Sequence, residues 1–221
     1  MRRLKAQDHP EAASCSSLRF QDRCAILELR SNDQTNRLTR SCVLELIKAV
    51  EHLAVGPLPA SLTLTGNQQF FSAGADLNEI LELRGAAAFE FARLGQRLMS
   101  ALEAFPVPTF AAIRGYCMGG GLDVALACRF RFAAPNAVFG HRGAALGLIT
   151  GWGGTQRLNW LVGRSQALQM FTAADKLSAP EALRIGLITK MCEDPMTVAV
   201  EAARQIADAG RGLSLITNLE K

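Results

Sequence analysis

Three adjacent glycines with an acid two residues on, Gly119-Gly120-Gly121-Leu122-Asp123, are the first group in this sequence with the makings of a reaction centre. The run Thr109–Arg114 before them is apolar and bounded by Pro108 and Gly115, which predicts a buried strand. A helix is predicted over Leu122–Cys128. Its first N–H groups have no acceptor inside the helix and carry the positive end of its dipole. Glycines let a ligand come close to such groups, so this is a place to hold an oxyanion, with Asp123 beside it. The same residues also suit a tight strand–helix turn in which the acid merely favours the dipole.

A second stretch has the same character. Ser61–Glu79 reads SLTLTGNQQFFSAGADLNE: an alternating strand, a Gly66-Asn67 turn, a buried Phe70-Phe71 pair and a small-residue loop. Two loops of this kind on neighbouring strands can aim two N–H groups at one point. Further along, FGHRGAAL places His141 two residues before Gly143. His141 is one of three histidines and is a candidate neutral base; a loop histidine bonded to backbone is the alternative. Arg142 suits the surface or a substrate carboxylate, Tyr116 suits packing, and Asp76 suits a helix cap. No histidine pairs with Ser72 from sequence, so a serine-hydrolase arrangement is not supported. The glycine run lacks the GxGxxG spacing of a nicotinamide site.

Together, TG–FFSAGADL, AIRGYCMGGGLDVALAC and FGHRGAALGLITGWGGTQRL resemble the enoyl-CoA hydratase/isomerase (crotonase) family, from about Cys24 to Cys192. The resemblance implies an α/β fold: a crotonase-like spiral of β-β-α units, two nearly perpendicular sheets and a short C-terminal helical region. It divides the chain into an acyl-CoA-binding core over 1–190 and a helical segment over 191–221. It implies an acyl-CoA thioester as ligand, with coenzyme A part of the substrate and neither a separate cofactor nor a metal. It also implies a homotrimer or a dimer of trimers, although the tail Gly210–Lys221 is short beside the family's usual trimerisation segment. By match to the motifs, the N–H groups of Ala73 and Gly120 are the oxyanion donors. Ala73, Gly74, Ala75, Asp76, Gly120, His141 and Gly143 are the expected substrate contacts, and Arg30 and Arg37 are candidate phosphate contacts.

The acid–base groups depart from the family pattern. A hydratase of this family holds water between two glutamates. Asp123 stands in the first position, one methylene shorter, so its reach falls by about 1.5 Å. Gly143 stands in the second and has no carboxylate. Three readings follow. Asp123 acts without a second carboxylate in hydration, isomerisation or hydrolysis. Alternatively, the space at Gly143 takes an anion, as the bicarbonate-using dihydroxynaphthoyl-CoA synthases of the family do. In the third reading the protein binds acyl-CoA with little catalysis. If only the second carboxylate is lacking, Gly143→Glu combined with Asp123→Glu is expected to raise hydration.

The remaining features fit one soluble domain. The 221 residues are 49% hydrophobic and 20% charged, with a net charge of +4. That mild excess does not imply nucleic acid, and no basic–aromatic run points to RNA. No signal peptide or membrane span is read, and a cytoplasmic location is expected. The six cysteines show no metal spacing and are read as reduced, mostly buried thiols. Met1–Ser17 reads as an irregular terminus. A helix capped by Thr39 is expected to reach about Leu53 with Val43, Leu44, Ile47, Val50 and Leu53 on its buried face. A later long helix is expected to bury Phe89, Ala92, Leu94, Leu98, Leu102 and Phe105. Helices are also read over Ser165–Ala174, Pro180–Ile185 and Thr197–Ala209.

Overall fold

The computed structural model describes residues 14–208. The expectations for the first thirteen residues and for the tail Gly210–Lys221 lie outside them. Strands β1 (Ser16–Gln21) and β2 (Cys24–Leu29) form a hairpin, and the short β3 (Arg37–Leu38) leads into α1 (Arg40–Val55). Three units of like order follow. The first is β4 (Ser61–Thr65), β5 (Phe70–Ser72), the short β6 (Gly74–Ala75), α2 (Leu77–Glu82) and α3 (Ala86–Glu103). Next come β7 (Thr109–Ile113), β8 (Tyr116–Met118) and α4 (Gly120–Ala127). The third is β9 (Phe130–Ala133), β10 (Val138–Gly140), α5 (Gly154–Val162) and α6 (Arg164–Ala173). The described chain then adds β11 (Leu177–Ser178), α7 (Ala179–Arg184), β12 (Lys190–Met191) and α8 (Pro195–Asp208).

Among the described residues the larger sheet runs β1-β2-β4-β7-β9-β12 and is parallel from β2 onward. A second sheet runs β11-β10-β8-β5, and among the described residues β3 pairs only with β6. Each unit therefore gives one strand to the larger sheet, one to the smaller, and then its helices. This is the strand–strand–helix repeat expected from the sequence. The corner between β7 and β8 is set by Gly115, at φ +58°, where a Cβ would sit 2.0 Å from the Gln69 carbonyl oxygen. Only glycine fits that conformation and that approach.

The larger sheet is covered on both faces, which is why β7 can be an unbroken apolar run. Phe110, Phe130 and Phe132 stack with centroids 5.4–6.5 Å apart and meet Ala199, Ala203 and Ile206 of α8. Ala111 and Ile113, one register step away, join the main core with α1, α3 and α4. Thr39 caps α1 by accepting from the Cys42 N–H at 3.2 Å.

Several expectations are corrected here. On α1, Leu46 is buried and Leu44 faces solvent, because Leu46 and Ile47 lie on the Val43–Val50 stripe and Leu44 does not. On α3 the buried face carries Phe91, Gly95, Leu98, Met99 and Leu102, while Phe89 is 64% exposed. Ser16 and Ser17 belong to β1 rather than to an irregular terminus; Glu45 accepts from the Ser16 N–H and hydroxyl. The cysteines are not all free. Cys15 and Cys42 form a disulfide across 27 residues, joining the start of β1 to α1. Cys24, Cys117 and Cys128 are free and buried, and burial pushes the Cys128 thiol up to about 12, so it is no nucleophile at neutral pH.

Phe110→Ala should lower stability by about 3–5 kcal/mol in urea unfolding, whereas Leu44→Ala should change it by less than about 1 kcal/mol. Similar losses at both sites would contradict the assignment of the two faces.

Candidate active site

Two loops meet at the end of the smaller sheet, and glycines set how closely. Gly74 lies at φ +95°, and a Cβ there would stand 2.7 Å from the Met118 carbonyl oxygen and 3.0 Å from the Gly120 nitrogen. A Cβ on Gly120 would fall 3.2 Å from the Ala75 nitrogen and 2.5 Å from the Trp152 ring. On Gly121 it would strike Ser72 at 2.6 Å. The backbone between Ser72 and Ala75 is thus pressed against the first turn of α4. Ser72 itself is structural: its hydroxyl donates to the Asn36 carbonyl at 2.7 Å and accepts the Gly74 N–H.

This geometry corrects one expected donor. The Ala73 N–H is already given to the Thr35 carbonyl at 2.9 Å, so it is not free for a ligand. In the β3–β6 pairing it is the Asp76 N–H that donates to Leu38, at 3.2 Å, and backbone alternation turns the Ala75 N–H away from β3. That side faces Gly120, whose own N–H opens α4 and has no acceptor within the helix. Ala75 and Gly120 both line one cavity of about 1020 Å³, along with Ala73, Gly74, Asp123, His141 and Gly143.

Asp76 is not among the lining residues. Its carboxylate caps α2 by accepting from the Asn78 and Glu79 N–H groups at 2.9 and 3.2 Å, and it pairs with Arg37 at 3.0 Å. The expected substrate contact at Asp76 is therefore a support for the loop. Arg37 is also bonded to Asp33, and Arg30 to Glu28 at 2.8 Å. Both arginines thus stand in surface ion pairs. Tyr116 packs on Phe70 and under Lys176, outside the cavity.

Asp123 is 1% exposed and sits one turn into α4. The Thr150 hydroxyl donates to its Oδ2. Its Oδ1 lies 3.3 Å from His141 Nε2, and His141 is itself 4% exposed with its ring 4.9 Å from that of Phe171. The approach is close but not aligned as a linear hydrogen bond, and both buried atoms lack an aligned partner. A Cβ on Gly154 would lie 2.0 Å from Oδ1; glycine at 154 is what leaves the carboxylate its place.

Gly143 opens a short 3₁₀ turn, Gly143–Leu146, and its carbonyl accepts the Leu148 N–H at 2.8 Å. A Cβ there would come 2.6 Å from the Leu148 carbonyl oxygen, a backbone atom. A glutamate at this position, where the family pattern has the second carboxylate, requires the turn to move. Arg142 beside it lines the cavity and has no acidic partner among the described residues.

Sequence reasoning missed Thr150, Trp152 and Gly154. All three lie in the stretch TGWGG, which reads only as a glycine turn. Trp152 is buried against Gly95, Gly120 and Phe91. The doubled glycine was the available signal that something packs against the loop. Among the described residues, no group of three or more His, Cys, Asp or Glu is placed to hold a metal ion, and no helix is long and apolar enough to cross a membrane.

The model of the family described as enoyl-CoA hydratase/isomerase matches residues 19–215. A crotonyl-CoA hydratase of Syntrophomonas wolfei is 38% identical over 177 residues, covering 80% of this chain and 68% of that protein. A 2,3-dehydroadipyl-CoA hydratase of Escherichia coli is 36% identical over 187 residues, covering 85% and 72%. Among solved structures, DspI of Pseudomonas aeruginosa superposes with a TM-score of 0.84 at 34% identity, over 92% of this chain and 78% of that one. An enoyl-CoA hydratase from Bacillus anthracis gives a TM-score of 0.83 at 30% identity, over 88% and 77%. With its strand–strand–helix units, its interlocked glycine loops and a family match over nearly its whole length, this chain belongs to the enoyl-CoA hydratase/isomerase (crotonase) family of acyl-CoA enzymes.

Proposed function

We propose that the protein hydrates a 2-enoyl-CoA, using the Asp123–His141 pair as its one acid–base centre. The observation that carries this reading is the pair itself: two buried side chains 3.3 Å apart, lining the cavity, with Oδ1 and Nε2 both short of an aligned partner. In this reading the reacting water approaches His141 from the cavity. The relatives named as hydratases support the reaction type.

The chemistry follows from the geometry. The thioester oxygen accepts the N–H groups of Ala75 and Gly120. Charge grows on that oxygen as the enolate forms, so the two donors stabilise the transition state more than the substrate. His141 takes a proton from the water as the hydroxyl adds to Cβ. Asp123, fixed by Thr150, faces the imidazolium that results. The same proton then passes from His141 to Cα as the enolate collapses. One centre thus serves as base and then acid, and the water's atoms are fully accounted for in the 3-hydroxyacyl-CoA product. Gly143, with no carboxylate and no room for one, favours a second reading in which acyl-CoA is bound without turnover.

His141→Ala and Asp123→Asn should each lower kcat for a 2-enoyl-CoA by roughly 10²–10⁴-fold, with saturated acyl-CoA affinity by calorimetry kept within a few-fold. A wild type silent across a panel of enoyl-CoA thioesters that it nonetheless binds would establish the second reading. Gly154→Ala drives a methyl group into the Asp123 carboxylate. It should cut kcat by at least about tenfold, since misplacing a reacting group by about 1 Å costs on that order or more. Thr150→Val should also lower kcat, and Thr150→Ser should recover it. The double change Gly143→Glu with Asp123→Glu should unfold at lower urea than wild type and gain no hydratase activity. A faster, equally stable double variant would contradict the role given to the Gly143 turn.

A further inference from the structure

We infer that Asn36 is a positioning residue for the oxyanion donors: it props a bulge in β5 and so fixes where the Ala75 N–H points. The inference rests on the reading of Ala75 and Gly120 as donors to a thioester oxygen, and adds the residue that sets one of them. Three observations carry it.

The ladder alone does not fix the end of β5. This strand is three residues long and lies at the edge of the smaller sheet. Phe70 pairs with Tyr116 and Ser72 with Cys117, so two steps along β5 are matched by one along β8, and Phe71 is left over. A bulge of this kind breaks the ladder and re-aims the residues that follow it. Those residues are Ser72 to Ala75, the segment pressed against α4.

Asn36 supplies what the ladder omits. Its Nδ2 donates to the Phe70 carbonyl at 2.8 Å and to the Phe71 carbonyl at 3.3 Å, so one amide spans the bulge. Its own backbone carbonyl accepts the Ser72 hydroxyl at 2.7 Å, and that hydroxyl accepts the Gly74 N–H at 3.1 Å. A chain of hydrogen bonds thus runs from Asn36 to the residue before Ala75. The neighbouring Thr35 carbonyl takes the Ala73 N–H, so the same short loop holds every residue from Phe70 to Gly74.

The prop is itself rigid. Asn36 is 2% exposed and its backbone lies at φ +52°, a conformation that asparagine tolerates better than most residues with a Cβ. Its N–H donates to the Ser31 hydroxyl at 2.8 Å. Asp33 gathers the rest of the loop by accepting from the Ser31 hydroxyl and from the Thr35 N–H and hydroxyl, at 2.7–3.1 Å. A group that must aim a donor is useful only when its own place is fixed.

The test reads the polarisation of the thioester. Butyryl-CoA, isotopically labelled at its carbonyl carbon, is bound without turnover and its carbonyl stretch is recorded by infrared difference spectroscopy. On wild type the stretch should fall below its frequency in water. Asn36→Gly keeps the left-handed backbone and removes the amide. It should bind butyryl-CoA within a few-fold of wild type and lose most of that fall. Ile206→Ala, in the cluster on the α8 face of the larger sheet, matches it as a variant of lowered stability and should keep the wild-type stretch. If Asn36→Gly does not fold by circular dichroism, Ser72→Ala, which cuts the link to Gly74, is read in its place with the same expectation. A folded variant at Asn36 or Ser72 that keeps the wild-type stretch would overturn the inference and leave the donor reading standing. An equal loss in Ile206→Ala would also overturn it, since the effect would then be one of stability. A thioester that wild type does not bind, or binds with its stretch as in water, would overturn the donor reading and the inference with it.

Discussion

The approach of the Gly74–Ala75 backbone to the first turn of α4 is the constraint on which the rest of the site depends. A Cβ on Gly74 would come within 3.0 Å of the Gly120 nitrogen, and one on Gly120 within 3.2 Å of the Ala75 nitrogen. Two N–H groups from elements far apart in sequence are thereby brought to one end of a cavity. The fold supplies the means: β5 and β8 are neighbours in the smaller sheet, so the segments leaving them run side by side. The supports are rigid rather than adaptable. Ser72 and Asn36 bond across to each other's segments, and Asp76 fixes the start of α2. Preorganised donors of this kind need no rearrangement when charge develops on a bound oxygen.

Burying Asp123 beside those donors imposes a second requirement. A carboxylate at 1% exposure is costly unless it is paired and hydrogen-bonded. Thr150 satisfies one oxygen and His141 faces the other, while Gly154 gives up its side chain to make room. The loop from His141 to Gly154 is therefore organised around this carboxylate as much as around any ligand. Where the family resemblance leads one to expect a second acid, this chain has a 3₁₀ turn closed on Leu148, and in the proposed reaction the acid–base work falls to the Asp123–His141 pair.

Much of the fold was legible because it rests on local signals. The apolar run at β7, the Thr39 cap of α1 and the small-residue loops at Ser72–Asp76 and Gly119–Gly121 each have a physical reason within a few residues. Gly120, Asp123 and the neighbourhood of His141 were read for the same reason. What escaped depends on contacts distant in sequence. The Ala73 N–H is spent on Thr35, 38 positions away, which leaves Ala75 as the proposed donor. Thr150 and Gly154 matter only because the third unit folds back onto α4. Leu44 and Leu46 stand on nearly opposite sides of α1, and the reading took the wrong neighbour of the Val43–Ile47–Val50 stripe; the Cys15–Cys42 bond joins residues whose spacing has no signature.

In the proposed reaction Ala75 and Gly120 polarise a thioester in front of the Asp123–His141 pair. A crystal structure of the protein with a non-reacting saturated acyl-CoA tests it most directly. The thioester oxygen is expected at about 2.7–3.1 Å from both the Ala75 and Gly120 nitrogens. Cα and Cβ of the acyl group should be turned toward His141, and the Ala73 N–H still bonded to Thr35. A thioester oxygen bound elsewhere, or an acyl group with Cα and Cβ pointing away from Asp123 and His141, would contradict it.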